Sequence, residues 1–245
     1  MHNLAFRGLG FDGCYGRYLL EDGTTLRDTF FALGLKGVNV TVPHKEAAYR
    51  ACDVLDGFAL KVGAVNTIVE RGGKLYGYNT DAPGFLKAVT ALDAKKILFL
   101  GAGGTAQSTA VILKEAGYHV TILNRSASRL EKFREEGFTV YTHEDFVPAS
   151  YDLIVNMTSA GLEDEQLPAP QELLAAIMPQ AKACMDVIYG RETPFLKLAK
   201  TYGKQTKDGS DMLLYQGVIA FEYFTEQRYS FEEILPHMKR AFDFN

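Results

Sequence analysis

An α/β fold in two domains is predicted by three observations. From Lys96 onward, short apolar runs alternate with helix-like stretches; a glycine-rich turn, Gly101-Ala102-Gly103-Gly104, directly follows one such run, Ile97-Leu98-Phe99-Leu100. A less uniform mixture of strands and helices precedes this block, and two apolar-striped segments follow it. Regular alternation of strand and helix argues a parallel sheet covered on both faces. The predicted boundaries are 81–216 for the alternating domain and 1–80 plus 217–245 for the other, with a cleft between them for a small ligand.

The elements read as follows. Strands are expected near 15–20 and at 37–41, 63–70 and 74–79, with a helix near 24–33 and another from 44; Arg71-Gly72-Gly73-Lys74 reads as a hairpin turn. The regular block gives strand 97–100, helix 105–116, strand 119–123, helix 126–136, strands 138–142 and 151–156, helix 171–178, strand 183–188 and helix 193–202. Asp211–Gln227 and Ser230–Phe242 carry helical apolar stripes and return the chain to the first domain.

Composition narrows the function classes. With 245 residues, 47% hydrophobic and 23% charged, the chain can bury a sizeable core. A net charge of −4 and a pI near 5.8 leave no basic footprint for nucleic acid. Cys14, Cys52 and Cys184 match no metal or redox spacing, and His2, His44, His119, His143 and His237 show no ligand spacing, so no metal site is expected. No apolar stretch is long enough to span a bilayer and the N-terminus has no signal-peptide pattern, so a cytoplasmic protein is expected.

The glycine turn points to a cofactor. A diphosphate can approach backbone N–H groups only where no Cβ intervenes, and the N-terminus of the following helix adds partial positive charge. The next predicted strand, ending Val120-Thr121-Ile122-Leu123, runs into Asn124-Arg125-Ser126, where many dinucleotide folds place an acid for the ribose 2′-hydroxyl. Arg125 and Arg129 are instead suited to charge-assisted bonds to a 2′-phosphate, each worth roughly 1.5–3 kcal/mol, which favours NADP over NAD. The regular block therefore reads as a Rossmann-like NADP-binding domain; the plain alternative is a tight turn and two solvated arginines.

Three further stretches hold candidate chemistry. In Asn39-Val40-Thr41-Val42-Pro43-His44-Lys45-Glu46, Pro43 is preset for a first helical turn, which places Lys45 in that turn. The helix dipole opposes a cation there, a placement poor for stability and useful for proton transfer. Asp81, in Gly77-Tyr78-Asn79-Thr80-Asp81-Ala82-Pro83-Gly84-Phe85, sits where a strand hands over to a helix; it is either that helix's N-cap or a carboxylate at the crossing between domains. Asn66, in Gly63-Ala64-Val65-Asn66-Thr67, offers an amide suited to a hydroxylated ligand or, equally, to a turn.

The motifs NVTVPHK, GAVNT, GYNTDAPGF, GAGGTA, NRSASR, DVIYG and DGSDMLLYQG, in that order and over nearly the whole chain, resemble the shikimate dehydrogenase family. The resemblance implies reduction of 3-dehydroshikimate by NADPH to shikimate, a step of aromatic amino-acid biosynthesis. It implies Lys45 as the catalytic acid/base and Asp81 as its partner at the reacting oxygen. Thr41, Asn66 and Gln216 match positions that hydrogen-bond the substrate, as does Tyr189. Gly101, Ala102, Gly103, Gly104 and Thr105, with Asn124, Arg125, Ser126 and Arg129, match the nucleotide site, and Val187 and Gly209 match its nicotinamide end. The residue types suit the reaction, because hydride delivered to a ketone leaves negative charge that a lysine ammonium neutralises with its proton. Asp81 favours the ammonium while the helix dipole opposes it, and the sequence leaves that balance open.

One departure stands out. The family usually begins with a strand and a Ser-x-Ser that clamps the substrate carboxylate, followed by a Ser-Pro-x-Met-His-Asn run, of which only Met1-His2-Asn3 is matched. The substrate domain is therefore expected to be N-terminally incomplete, through a start assigned at an internal methionine or a truncation. The alternatives are a degenerate NADP-binding protein that turns over poorly and a quinate/shikimate dehydrogenase. Expected partners are the small-molecule substrate and a second copy in a homodimer, with neither nucleic acid nor membrane.

Overall fold

The computed structural model describes residues 1–243. The chain divides into two compact units, Met1–Gly84 with Leu213–Asn245, and Phe85–Met212. In chain order the elements are α1 (His2–Gly8), α2 (Leu26–Ala32), β1 (Gly37–Asn39), α3 (Lys45–Ala51), β2 (Val54–Leu55), α4 (Gly57–Val62), β3 (Thr67–Arg71), β4 (Lys74–Tyr78) and α5 (Asp81–Thr90). They continue with β5 (Lys96–Leu100), α6 (Gly104–Glu115), β6 (His119–Asn124), α7 (Glu131–Glu135), β7 (Thr139–Thr142), β8 (Leu153–Asn156), α8 (Gln171–Ile177), β9 (Ala183–Asp186), α9 (Pro194–Thr201) and β10 (Gln205–Lys207). The long α10 (Ser210–Phe224) and α11 (Phe231–Lys239) complete the chain.

In the first unit, β1-β3-β4-β2 form a mixed sheet. Its centre is the β3–β4 hairpin, in which Arg71 faces Lys74 across Gly72-Gly73. Both glycines have positive φ, 59° and 80°, the backbone that matches the twist of the flanking strands. Phe30, Ala48, Ala59, Ile68 and Leu75 pack α2, α3 and α4 onto this sheet. A separate cluster of Ala5, Phe6, Val218, Phe221, Ile234 and Met238 joins α1, α10 and α11.

The second unit is built on a parallel sheet in the order β10-β9-β8-β5-β6-β7. Its centre reads as a continuous apolar run because strands covered on both faces have no solvent side: Ile97, Leu98 and Phe99 are fully buried. β5 lies between β6 and β8, so the order in which successive strands are added reverses at it. The crevice beyond the carboxyl ends of the strands opens at such a reversal, and the glycine turn follows β5 there.

Several sequence expectations shift. No strand forms at 15–20. The Asn3 side chain serves Tyr15 as a strand partner would: Nδ2 donates to the Tyr15 carbonyl at 2.9 Å and Oδ1 accepts from its N–H at 2.7 Å. The strand expected from 63 begins at Thr67, because Gly63 at φ 69° closes α4, a helix the sequence reading lacked. The helix expected at 126–136 starts as a 3₁₀ turn, Ala127–Leu130, before α7. The strand expected at 183–188 stops at Asp186, whose side chain takes over the hydrogen bonding beyond it. Short α1, β2 and β10 carry too few residues to show a period.

Candidate active site

Lys45 is the first residue of α3, and Pro43 stands before the N-cap His44 rather than inside the helix. The turn closed by the His44 N–H on the Thr41 carbonyl, at 3.0 Å, takes up those preceding residues. The Lys45 carbonyl accepts from the Val65 N–H at 3.1 Å, and the Val40 N–H donates to the Asn66 carbonyl at 2.7 Å, so the NVTVPHK and GAVNT segments are held side by side. The Lys45 side chain reaches Asp81, Nζ to Oδ2 at 2.5 Å, with the two side chains 23% and 14% exposed.

Asp81 opens α5 but does not cap it. Asn79 Oδ1 accepts from the Ala82 N–H at 3.2 Å, while Asn79 Nδ2 donates to the Ala64 carbonyl. Asp81 thus gains the favourable field of a helix N-terminus and keeps its carboxylate for Lys45. Between them the chain passes through Thr80, fully buried, whose N–H donates to Asn66 Oδ1 at 2.7 Å and whose hydroxyl accepts from Asn66 Nδ2 at 3.0 Å. Thr67 Oγ1 lies 3.1 Å from the same hydroxyl, and Asn39 Nδ2 donates to Thr67. On the other side Thr80 Oγ1 is 3.5 Å from Gln216 Oε1, while Gln216 Nε2 donates to the Leu213 carbonyl. A Cβ on Gly84 would fall 2.6 Å from the Gln216 N, so a glycine is required for α10 to come this close to α5.

The polar cluster continues to α1. His2, 6% exposed, is hydrogen-bonded through Nε2 to Asn39 Oδ1 at 3.1 Å, and the Tyr15 hydroxyl donates to the same oxygen at 2.9 Å. Burial pushes the His2 imidazole down to about 4, the hydrogen bond to Asn39 opposing only part of that.

In the second unit the turn after β5 is shaped by missing side chains. Gly101 has φ 115°, and a Cβ on it would meet Thr158 Cγ2 at 2.6 Å. Cβ atoms on Gly103 and Gly104 would meet nothing within 4 Å. Gly103 caps α6 without a side-chain hydrogen bond, and the first turn of that helix holds no acid. At the end of β6, Asn124 Nδ2 donates to the Ser126 carbonyl at 3.0 Å, shaping the turn that carries Arg125 and Arg129, both exposed and neither with a carboxylate partner among the described residues.

Family models match on both units: a shikimate dehydrogenase substrate-binding domain over residues 1–68 and a shikimate/quinate 5-dehydrogenase model over 85–161. A shikimate dehydrogenase (NADP(+)) of Helicobacter hepaticus is 42% identical over 232 residues, covering 94% of this chain and 87% of its own. The chain belongs to the shikimate dehydrogenase family. A Helicobacter pylori shikimate dehydrogenase (NADP(+)) is 39% identical over 99% of this chain and 92% of its own. The shikimate 5-dehydrogenase of Thermus thermophilus, solved with NADP(H) and shikimate, superposes with a TM-score of 0.84 at 35% identity, covering 98% of this chain and 92% of that one. A Listeria monocytogenes shikimate 5-dehydrogenase, solved with shikimate and NAD, gives 0.81 at 30% identity over 95% and 88%.

The candidate residues of this family member fall into two groups. Thr41, Lys45, Asn66, Asp81 and Gln216 lie in the first unit, where Lys45 meets Asp81 and Asn66 and Gln216 both meet Thr80. Thr41 is exposed and its hydroxyl has no hydrogen-bond partner among the described residues. Gly101 to Thr105, Asn124, Arg125, Ser126, Arg129, Val187, Tyr189 and Gly209 lie in the second unit. Val187 and Gly209 touch, since a Cβ on Gly209 would fall 2.1 Å from the Val187 carbonyl oxygen, and the Gly209 N–H donates to the Ile188 carbonyl. Tyr189 is 52% exposed.

The turn fits a dinucleotide phosphate on its own features. Open space over Gly103 and Gly104, α6 N–H groups without a side-chain cap and two arginines without a protein anion among the described residues are what an anion at this helix end needs. The thiols of Cys52 and Cys184 are pushed up to about 12 by burial, which removes both as nucleophiles.

Sequence reading missed Thr80, Thr67 and Asn79, although two of them sit inside the quoted GYNTDAPGF segment. It also missed Asp186, fully buried at the end of β9 and without an ion-pair partner among the described residues. Its carboxylate accepts from Asn156 Nδ2 at 3.0 Å, Thr193 Oγ1 at 2.7 Å and the Ile188 N–H at 2.9 Å, and burial holds it above the usual carboxylate range. An apolar run ending in Asp, as in Ala183-Cys184-Met185-Asp186, is the signal that was available.

Proposed function

We propose that this protein catalyses the reversible, NADPH-dependent reduction of 3-dehydroshikimate to shikimate, with Lys45 as acid/base and Asp81 as its partner. The carrying observation is the Lys45–Asp81 pair at 2.5 Å, formed while Asn79 relieves Asp81 of capping α5. The names and bound ligands of the relatives support the same reaction. In this reading the first unit, Met1–Gly84 with Leu213–Asn245, binds the substrate, and the second, Phe85–Met212, binds the dinucleotide.

NADPH, when bound, supplies the hydride. As the carbonyl oxygen gains negative charge, the Lys45 ammonium donates its proton to it; in the oxidation of shikimate, neutral Lys45 takes the hydroxyl proton. Asp81 keeps Lys45 oriented and stabilises its charged form between turnovers. Thr41, Asn66, Gln216 and Tyr189 hydrogen-bond the substrate's ring oxygens or carboxylate. Gly101 to Thr105 cradle the diphosphate, Asn124, Arg125, Ser126 and Arg129 hold the adenosine 2′-phosphate, and Val187 and Gly209 border the nicotinamide. The working location is the cytoplasm and the assembly a homodimer, which light scattering checks.

The test follows NADPH oxidation on adding 3-dehydroshikimate. Turnover is expected, with Lys45→Ala lowering kcat by about 10²–10⁴ at an unchanged melting profile. Absence of turnover, or full activity in Lys45→Ala, overturns the reading. The match to a shikimate/quinate model makes quinate with NAD the control. Arg125 and Arg129, without a carboxylate partner among the described residues, favour NADP over NAD in that comparison, and the assay decides between shikimate and quinate.

A further inference from the structure

β6 and β7 run in parallel and pair with Asn124 opposite Thr142. The next residue on each, Arg125 and His143, therefore leaves the sheet from neighbouring strand ends. His143 is half-buried and makes no hydrogen bond among the described residues. Burial first, and then the positive charge of Arg125, hold its imidazole below the ordinary histidine range, so the two side chains share one electrostatic neighbourhood. Of the two acids that follow it, Glu144 is exposed, and Asp145 is committed to the Thr142 N–H and hydroxyl.

The guanidinium disfavours a proton on the imidazole beside it, and among the described residues neither group is paired with a carboxylate. A doubly charged anion with several acceptor oxygens reverses the sign of that interaction and gives each donor a partner. We propose that His143 is a further ligand of the nucleotide's 2′-phosphate, a specificity-determining residue that acts beside Arg125 and Arg129 and distinguishes NADP from NAD. This rests on the reading that NADPH binds at the turn after β5 and β6. The donor comes from a separate strand, so it sets the phosphate's position from a second direction.

The test measures NADPH and NADH binding to the full chain by fluorescence titration in the parent protein, His143→Ala and Arg125→Ala. His143→Ala is expected to weaken NADPH by about tenfold, the worth of one charge-assisted hydrogen bond, and to leave NADH within about twofold. Arg125→Ala is expected to lower the same preference by at least as much. If Arg125→Ala loses the preference while His143→Ala keeps it, or if His143→Ala weakens both nucleotides alike, the role of His143 is overturned and the NADP reading stands. If neither variant changes the preference, the 2′-phosphate is held elsewhere and both assignments fall.

Discussion

The neighbourhoods of Lys45 and of Gly101 use side chains in opposite ways. Around Lys45 the site is made of side chains that bind one another: Asp81 takes Lys45, Asn79 takes the helix cap, and Asn66, Thr67 and Gln216 close on the Thr80 hydroxyl. Around Gly101 the site is made by leaving side chains out, so that backbone N–H groups face open space over Gly103 and Gly104. In the proposed function the first arrangement positions a proton and is sensitive to the loss of any one partner. The second, in the same reading, admits a ligand and is sensitive to the gain of an atom. Deletions and additions of a few atoms should therefore have opposite signatures in the two places.

Among the residues that surround Lys45 and Gly101, the largest expected effect is at Asp81. Asp81→Asn keeps the shape and removes the charge that holds Lys45, while Asn79 continues to cap α5. We expect kcat to fall by about 10²–10³ with the melting temperature close to that of the parent, because an acid at the helix N-terminus contributes only about 0.3–1 kcal/mol. A variant that melts far lower, or one that loses only nucleotide affinity, would break the comparison by showing Asp81 to be a structural cap or a cofactor residue.

The second effect tests how far the interlocked cluster extends. His2 is protonated only near pH 4 in the folded chain, against 6.5 as its ordinary value. A histidine depressed in this way leaves the unfolded chain holding more protons between those values, so its contribution is fully present above about 6.5 and lost as pH falls through that window. The loss by pH 4 is on the order of 3 kcal/mol. Denaturant midpoints measured across this range should fall for the parent and fall less for His2→Gln. Equal slopes for the two proteins would cut His2 out of the cluster.

These cases also mark what was legible beforehand. The glycine turn was, because its requirements are local: an apolar strand, residues without Cβ and a helix start lie within ten positions. Lys45 stood out for the same reason, as a cation in a first helical turn. Asp81's release from capping was not legible, since it depends on Asn79 and the Ala64 carbonyl meeting in space. The false strand at 15–20 failed through Asn3, a partner twelve residues away supplying the hydrogen bonds a neighbouring strand would have. His143 and Arg125 are eighteen positions apart and become neighbours only through the register of two parallel strands. Long-range pairing is what separates the parts that could be read from those that could not.

The smallest expected effect, roughly tenfold in one affinity, belongs to Gly103→Ala, and it separates the two designs most cleanly. Gly103 has an ordinary φ of −85°, and its added Cβ would meet nothing within 4 Å, so the fold should tolerate alanine at this cap with a change below about 1 kcal/mol. The same methyl group would stand where a diphosphate must approach the α6 N–H groups. NADPH affinity should therefore fall by about tenfold or more while KM for 3-dehydroshikimate moves little, the reverse of a variant such as Asp81→Asn, in which binding is kept and proton transfer is lost. A Gly103→Ala protein that binds NADPH as tightly as the parent would mean that the phosphate does not rest on this turn, and that the open space over Gly103 reflects the path of the backbone alone.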